Sequence, residues 1–124
     1  MTTSHRVTQV PTVRRGDLAI IESASRTYYV GAPTETSTRF ELGTVASVTR
    51  EGAIKSVRRL GSAASVKPTP VERLNGTVLY VSAETVDVHG ILAEATRHTY
   101  AGSDMPRPYD SLAEIKALCR AYRR

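Results

Sequence analysis

Six lysine and arginine residues fall within 24 residues of this sequence, and only two glutamates accompany them. Clustered cations of this kind bind phosphate groups, which attract Lys and Arg without regard to base sequence. The chemistry that the stretch indicates is electrostatic binding of a polyanion. The candidate nucleic-acid-binding residues are Arg50, Lys55, Arg58, Arg59 and Lys67, with Arg73 at the end of the cluster.

The excess positive charge of the chain lies in the same half as this cluster. The formal net charge is +5 over 124 residues. Residues 1–76 hold 11 Lys/Arg against 6 Asp/Glu, whereas residues 77–124 hold six of each. A local excess can attract nucleic acid or an acidic protein partner. A surplus of this size is also common in small proteins, where it serves solubility alone.

Groups that could catalyse a reaction or hold a metal are sparse. His89 and His98 are nine residues apart on one predicted helix, or 2.5 turns, so they project from opposite faces. Cys119 has no neighbouring Cys or His at metal-site spacing, and it falls on an apolar stripe where thiols are inert. Ser82 and Asp87 suit turn and cap positions. Neither a Gly-x-Ser-x-Gly motif nor a phosphate-binding glycine loop occurs. We therefore expect no enzymatic activity, no cofactor and no metal.

The basic cluster begins in a predicted β-hairpin over residues 38–60. Alternate residues of its first strand share one face: Phe40, Leu42, Thr44, Ala46 and Val48. Gly52 suits the turn at 50–52, because short hairpin loops need a positive φ. The apolar pattern slips by one residue between Ile54 and Val57, which predicts a β-bulge near Ser56. Lys55, Arg58 and Arg59 are expected on the solvent side of the second strand.

Further strands are predicted on both sides of this hairpin. The apolar run 18–21 indicates one strand, 22–25 a turn, and the aromatic and β-branched run 26–30 a second strand. Asn75-Gly76 predicts another hairpin turn, followed by a strand over 77–81. Tyr28, Tyr29 or Phe40 could stack on a nucleic-acid base if one of them faces outward.

Two helices are predicted after residue 81. Apolar residues at helical spacing follow Asp87, the expected N-cap, and Gly102 is placed to end this first helix. Ser111 and Glu114 form a capping box for the second helix, whose apolar stripe includes Cys119. This stripe packs either on the strands or on another protein. The second case makes the chain an adaptor or a subunit of an assembly, with oligomerisation through the C-terminal helix.

Strands followed by helices indicate an α+β fold. We predict a flexible N-terminal arm over 1–13 and a single domain over 14–124, with a small bent antiparallel β-barrel in 14–81 and a helical part in 82–124. Gly16-Asp17 before a strand, Gly43-Thr-Val-Ala-Ser-Val, and Arg50-Glu-Gly leading into Ile54-Lys-Ser-Val57 occur in the run 15–60. In outline this run resembles the small SH3-like barrels, including KOW and Tudor-like modules. The resemblance covers less than half the chain, and the loop at 31–37 is longer than the KOW pattern.

The single cysteine cannot form an intrachain disulfide, and neither a membrane span nor a signal peptide is expected, so the expected compartment is the cytoplasm. Taken together, the sequence predicts a non-enzymatic nucleic-acid-binding or nucleic-acid-associated accessory protein that uses a basic hairpin face. The alternative is a protein–protein interaction module with an acidic partner.

Overall fold

The computed structural model describes residues 12–27, 35–60 and 67–124, and shows an antiparallel sheet of five strands followed by two helices. This confirms the α+β class and the order of strands before helices. The strands are β1 (Leu18–Thr27), β2 (Glu35–Val48), β3 (Ile54–Arg59), β4 (Thr69–Pro70) and β5 (Thr77–Val81), and a short 3-10 helix, Val71–Arg73, joins β4 to β5. The helices are α1 (Val88–Thr96) and α2 (Leu112–Ala121).

The sheet is open, so the predicted closed barrel is wrong. Its strand order is β4-β3-β2-β1-β5, and among the described residues the edge strands β4 and β5 do not pair with each other. Closure would need a ladder between these two edges. However, β4 has only two residues, and Pro70 lacks the N–H that a ladder requires.

The β2–β3 hairpin confirms the predicted turn and bulge. Gly52 has a φ of 90° in the turn. The pairing of β2 with β3 shifts register on both sides of the Ser47–Ser56 pair, where a bulge was expected. Beyond the bulge, Val45 lies opposite Val57 and both are buried.

Two predicted turns are absent. The segment 22–25 is part of one continuous strand, because β2 offers β1 a backbone partner for every residue from Leu18 to Thr27. Asn75-Gly76 does not join two strands, since the 3-10 helix precedes it. Gly76 instead allows close backbone packing: a Cβ there would overlap the carbonyl oxygen of Glu22.

Both helices begin at the predicted caps. The Asp87 carboxylate accepts a hydrogen bond from the Gly90 N–H at 3.2 Å, and the Ser111 hydroxyl accepts one from the Ala113 N–H at 3.0 Å. The first helix ends at Thr96, well before Gly102. Within the described residues, neither α1 nor α2 has the length and hydrophobicity of a membrane-spanning helix.

The sheet carries a buried apolar cluster on each face. The helices cover one face, where the strand residues Leu18, Ile20, Phe40 and Leu42 pack with the helix residues Val88, Ile91, Ala95 and Ile115. The other cluster consists of Val13, Ala19, Ile21, Val45 and Val57. Val13, the last residue of the predicted arm, is thus buried, and residues 1–11 lie outside the described part of the chain.

Candidate functional site

The basic residues of β3 do not share one face. Arg58 lies opposite Thr44, and Arg59 lies opposite Gly43, so the two consecutive side chains project from opposite faces of the sheet. The Arg59 guanidinium donates to both carboxylate oxygens of Glu41, at 3.1 and 3.2 Å. Arg59 is therefore held by Glu41 on one face of the sheet. Arg58 is exposed on the other face.

Two further candidates occupy the end of the hairpin. Arg50 belongs to the β2–β3 turn and Lys55 to the bulged part of β3, and both are exposed. Neither side chain has a hydrogen-bond or ion-pair partner within residues 12–27, 35–60 and 67–124. Their charges are available to an external anion.

A groove of about 380 Å³ lies beside Arg58, where the sheet meets the start of α1. Its polar lining includes the side chains of Arg15, Thr44, Arg58 and His89. Pro68 closes another side, and the exposed Lys67 is its chain neighbour. The groove therefore brings together two cations from separate parts of the chain, Arg15 and Arg58, and none of its described lining residues is Asp or Glu.

The turn that carries Arg15 is fixed by Asp17. Asp17 is only 3% exposed, and its carboxylate accepts hydrogen bonds from the backbone N–H groups of Arg14 (2.8 Å) and Ala83 (2.9 Å). Gly16 has a φ of 95°, and its N–H donates to the Val45 carbonyl at 2.8 Å. The Arg15-Gly16-Asp17 tripeptide is thus a structural turn that attaches Arg15 to β2 and to the segment after β5.

The first turn of α1 supplies the remaining wall of the groove. Val88 and His89 directly follow the N-cap, and His89 is exposed. Unpaired backbone N–H groups give the start of a helix a partial positive charge. The Asp87 carboxylate offsets part of this charge by capping Gly90. The two positively charged side chains at the groove are therefore those of Arg15 and Arg58.

The aromatic residues considered for base stacking do not join this groove. Phe40 is buried in the core, which removes it as a stacking residue. Tyr28 and Tyr29 lie outside the described residues. Among the described residues, no Phe, Tyr or Trp lines the groove, which therefore offers charge but no aromatic stacking surface.

Three other titratable side chains, those of His98, Tyr109 and Cys119, pack within the fold and away from the groove. His98 lies beyond the end of α1, where its ring stacks on Tyr109 with 4.2 Å between centroids and its Nδ1 lies 2.9 Å from the Arg107 carbonyl oxygen. Burial raises the pKa of the Cys119 thiol. Burial, together with the nearby carboxylates of Glu94 and Glu114, raises the pKa of Tyr109. Within the described residues, no group of three or more His, Cys, Asp or Glu could hold a metal ion.

Comparison with known proteins gave no match: no family model, no curated protein and no solved structure is significantly similar to this chain.

Two groove residues were missed by the sequence reasoning. Arg15 was not among the predicted binding residues, although Arg14-Arg15 is itself a basic pair close to a strand. His89 carried no local signal, because its position beside β2 depends on how α1 packs on the sheet. Of the predicted set, the groove includes Arg58, the hairpin end holds Arg50 and Lys55, and Arg59 lies on the opposite face of the sheet. Lys67 precedes the lining residue Pro68 in the chain.

Proposed function

We propose that this protein is a non-enzymatic nucleic-acid-binding protein that contacts phosphate groups in the groove between β2, β3 and the start of α1. The observation that carries the proposal is the convergence of Arg15 and Arg58 on one groove that no carboxylate lines. Guanidinium groups suit this role because their fork of N–H donors matches the oxygens of a phosphate.

The hairpin end extends the proposed contact beyond the groove. Arg50 and Lys55 lie on the hairpin that also carries Arg58, and their charges have no partner within the described residues. A nucleic-acid backbone presents a series of phosphates and can engage several such cations at once. The expected binding is therefore independent of base sequence and sensitive to salt.

The test is a fluorescence-polarisation titration with labelled DNA and RNA, in single- and double-stranded forms. With about four phosphate contacts, duplex affinity should fall about 100-fold between 50 and 200 mM salt. The double variant Lys55→Gln/Arg58→Gln should bind more weakly on every sequence and lower the salt slope by about two. An unchanged slope in this variant, or no binding at low salt, would contradict the proposal.

Two control variants distinguish binding in the groove from general attraction by the net charge of the protein. Lys116→Gln/Arg120→Gln removes two positive charges from α2 and should leave the slope nearly unchanged. Arg59→Gln should also bind normally, because Arg59 is held by Glu41 on the other face. Equal losses in the two double variants, with about half that loss in Arg59→Gln, would mean that net charge alone attracts the nucleic acid.

We also propose that the sheet is an opened relative of the SH3-like fold. The support is its connectivity: β1 to β4 are successive neighbours, and β5 returns to the free edge of β1. Among the described strands, the one ladder missing from a closed arrangement is that between β4 and β5, which the 3-10 helix Val71–Arg73 joins.

The alternative function is protein–protein interaction. One observation favours it. Among the described residues, the outer edge of β5 pairs with no other strand, and this edge lies beside an apolar groove.

A further inference from the structure

We propose that the outer edge of β5 and the adjoining groove on α2 bind an extended, acidic segment of a partner protein. This site is separate from the groove at Arg15 and Arg58, so the inference does not depend on the proposed nucleic-acid binding. It rests on three observations within the described residues: a strand edge with no charge and no proline, an apolar floor beside it, and a basic rim.

The first observation is the contrast between the two edges of the sheet. Proteins protect an edge strand by making it short or by placing Pro or charged residues in it, because unpaired backbone groups attract another strand. The edge strand β4 has two residues and ends in Pro70. The edge strand β5 has the sequence Thr-Val-Leu-Tyr-Val, with no charge and no proline, and within the described residues it pairs only with β1. Its free edge is suited to accept one more strand.

The second observation is a groove of about 580 Å³ between β5 and α2. Its floor is apolar and includes Ile20, Leu79, Val81, Leu112 and Cys119. Leu79 is 40% exposed, which is unusual here, since few large apolar side chains of the described chain are as open to solvent. Alternate side chains of an added strand would point towards this floor, because strand residues alternate between two faces.

The third observation is the charge of the rim. Lys116 and Arg120 are one turn apart on α2, and Arg123 follows its end. None of the three side chains has a hydrogen-bond or ion-pair partner in the described part of the chain, and no Asp or Glu lines the groove. A segment that carries Asp or Glu beside its apolar residues therefore complements both the floor and the rim.

The same charge argues against the other occupants. Two copies of this chain joined edge to edge would bring two basic rims together. The N-terminal segment 1–11 contains Arg6 and no Asp or Glu, so it offers nothing to the rim. Nucleic acid could engage the cations, but it would leave the apolar floor and the backbone groups of β5 unused.

The experiment is a fluorescence-polarisation titration of the full chain with a labelled decapeptide of alternating Val and Glu. A decapeptide of alternating Val and Lys is the matched control. The acidic peptide should bind and the basic one should not. Leu79→Asp should abolish binding, since it places a carboxylate in the floor. Lys116→Gln/Arg120→Gln should weaken binding only about five- to tenfold, because exposed ion pairs contribute little free energy.

The variant Lys55→Gln/Arg58→Gln should bind the peptide normally, so the two sites can fail separately. A second readout uses Cys119, which is the only cysteine and lies in the groove lining. Saturating acidic peptide should slow its reaction with a maleimide at least fivefold. An unchanged maleimide rate at saturation, or equal affinity for both peptides, would overturn the inference.

The last measurement in this test is the oligomeric state of the protein. Sedimentation velocity should show a monomer over the working concentration range. A concentration-dependent dimer that Leu79→Asp dissociates would show that a second copy covers the edge, and would overturn the assignment to an acidic partner.

Discussion

Asp17 combines two tasks in a single buried carboxylate. It holds the turn that carries Arg15, and it attaches that turn to the segment after β5 through the Ala83 N–H. The Asp17 N–H and carbonyl also take part, with Arg14 and Val45 as partners. The position of one wall of the proposed phosphate groove therefore depends on a residue that does not line the groove.

Replacing Asp17 should test this dependence. Asp17→Ala leaves the Arg14 and Ala83 N–H groups without their acceptor, and each such loss costs about 1–3 kcal/mol. We expect Asp17→Ala to lower the free energy of unfolding by about 2–4 kcal/mol. Asp17→Asn keeps one carbonyl oxygen as an acceptor and should lose less. Urea denaturation measures both, and a loss below about 0.5 kcal/mol for Asp17→Ala would contradict the assigned role.

At the scale of elements, the sequence correctly predicted the features that depend on neighbouring residues. The β2–β3 hairpin, its bulge near Ser56, and the caps Asp87 and Ser111 were all predicted, because each follows from residues close together in the sequence. The length of β1 and the open sheet were not predicted. They depend on pairing between segments far apart in the chain, and on the short β4.

The residues of the candidate groove were likewise predicted only in part. The clustering of positive charge identified Arg50, Lys55, Arg58 and Lys67 as candidates. It also identified Arg59, but side chains alternate along β3, so Arg59 lies on the opposite face from Arg58. The approach of His89 required the packing of α1 on the sheet. A strand pattern can therefore supply candidate cations, whereas the set that shares a groove needs the tertiary structure.

Helix α1 gives a prediction in which packing opposes helix propensity. Gly90 weakens an isolated helix by up to about 1 kcal/mol relative to Ala, so propensity alone favours Gly90→Ala. In the fold, however, a Cβ at this position would lie 2.6 Å from Cδ1 of Tyr122 and 2.7 Å from an oxygen of Asp87. Tyr122 is part of the segment after α2, and its carbonyl accepts from the Asp87 N–H.

We therefore expect Gly90→Ala to destabilise the protein by about 1–3 kcal/mol, the usual cost of overpacking. Differential scanning calorimetry of Gly90→Ala and of the double variant Gly90→Ala/Tyr122→Ala would measure it. Since Tyr122→Ala removes the ring that the new methyl meets, Gly90→Ala should cost less in that background. A higher Tm for Gly90→Ala in the otherwise unchanged protein would show that helix propensity dominates at this position.

At the scale of the whole molecule, the sheet and the helical part are joined around Tyr109. Its backbone N–H and carbonyl both bond to Phe40 on β2, at 2.8 Å each. Its ring stacks on His98, which follows α1, and Tyr109 as a residue is 7% exposed. The carboxylates that act on its pKa belong to both helices, Glu94 to α1 and Glu114 to α2.

This arrangement predicts how the protein loses stability at high pH. Burial first, and the two carboxylates second, raise the pKa of Tyr109 above its ordinary value of 10.0. The native state therefore holds the phenol proton more tightly than the unfolded state does. The resulting stabilisation is complete below pH 10 and is lost as the pH rises through the raised pKa, with a slope of up to about 1.4 kcal/mol per pH unit.

Urea denaturation of the wild type and of Tyr109→Phe, at intervals from pH 8 to 11.5, isolates this contribution. The other five tyrosines are common to both proteins. Tyr109→Phe keeps the ring that stacks on His98 but cannot ionise, so its free energy of unfolding should decline less steeply above pH 10. Parallel declines in the two proteins would mean that Tyr109 ionises as readily in the native state as in the unfolded chain. The contact between sheet and helices would then be open to solvent and would not be the buried junction described above.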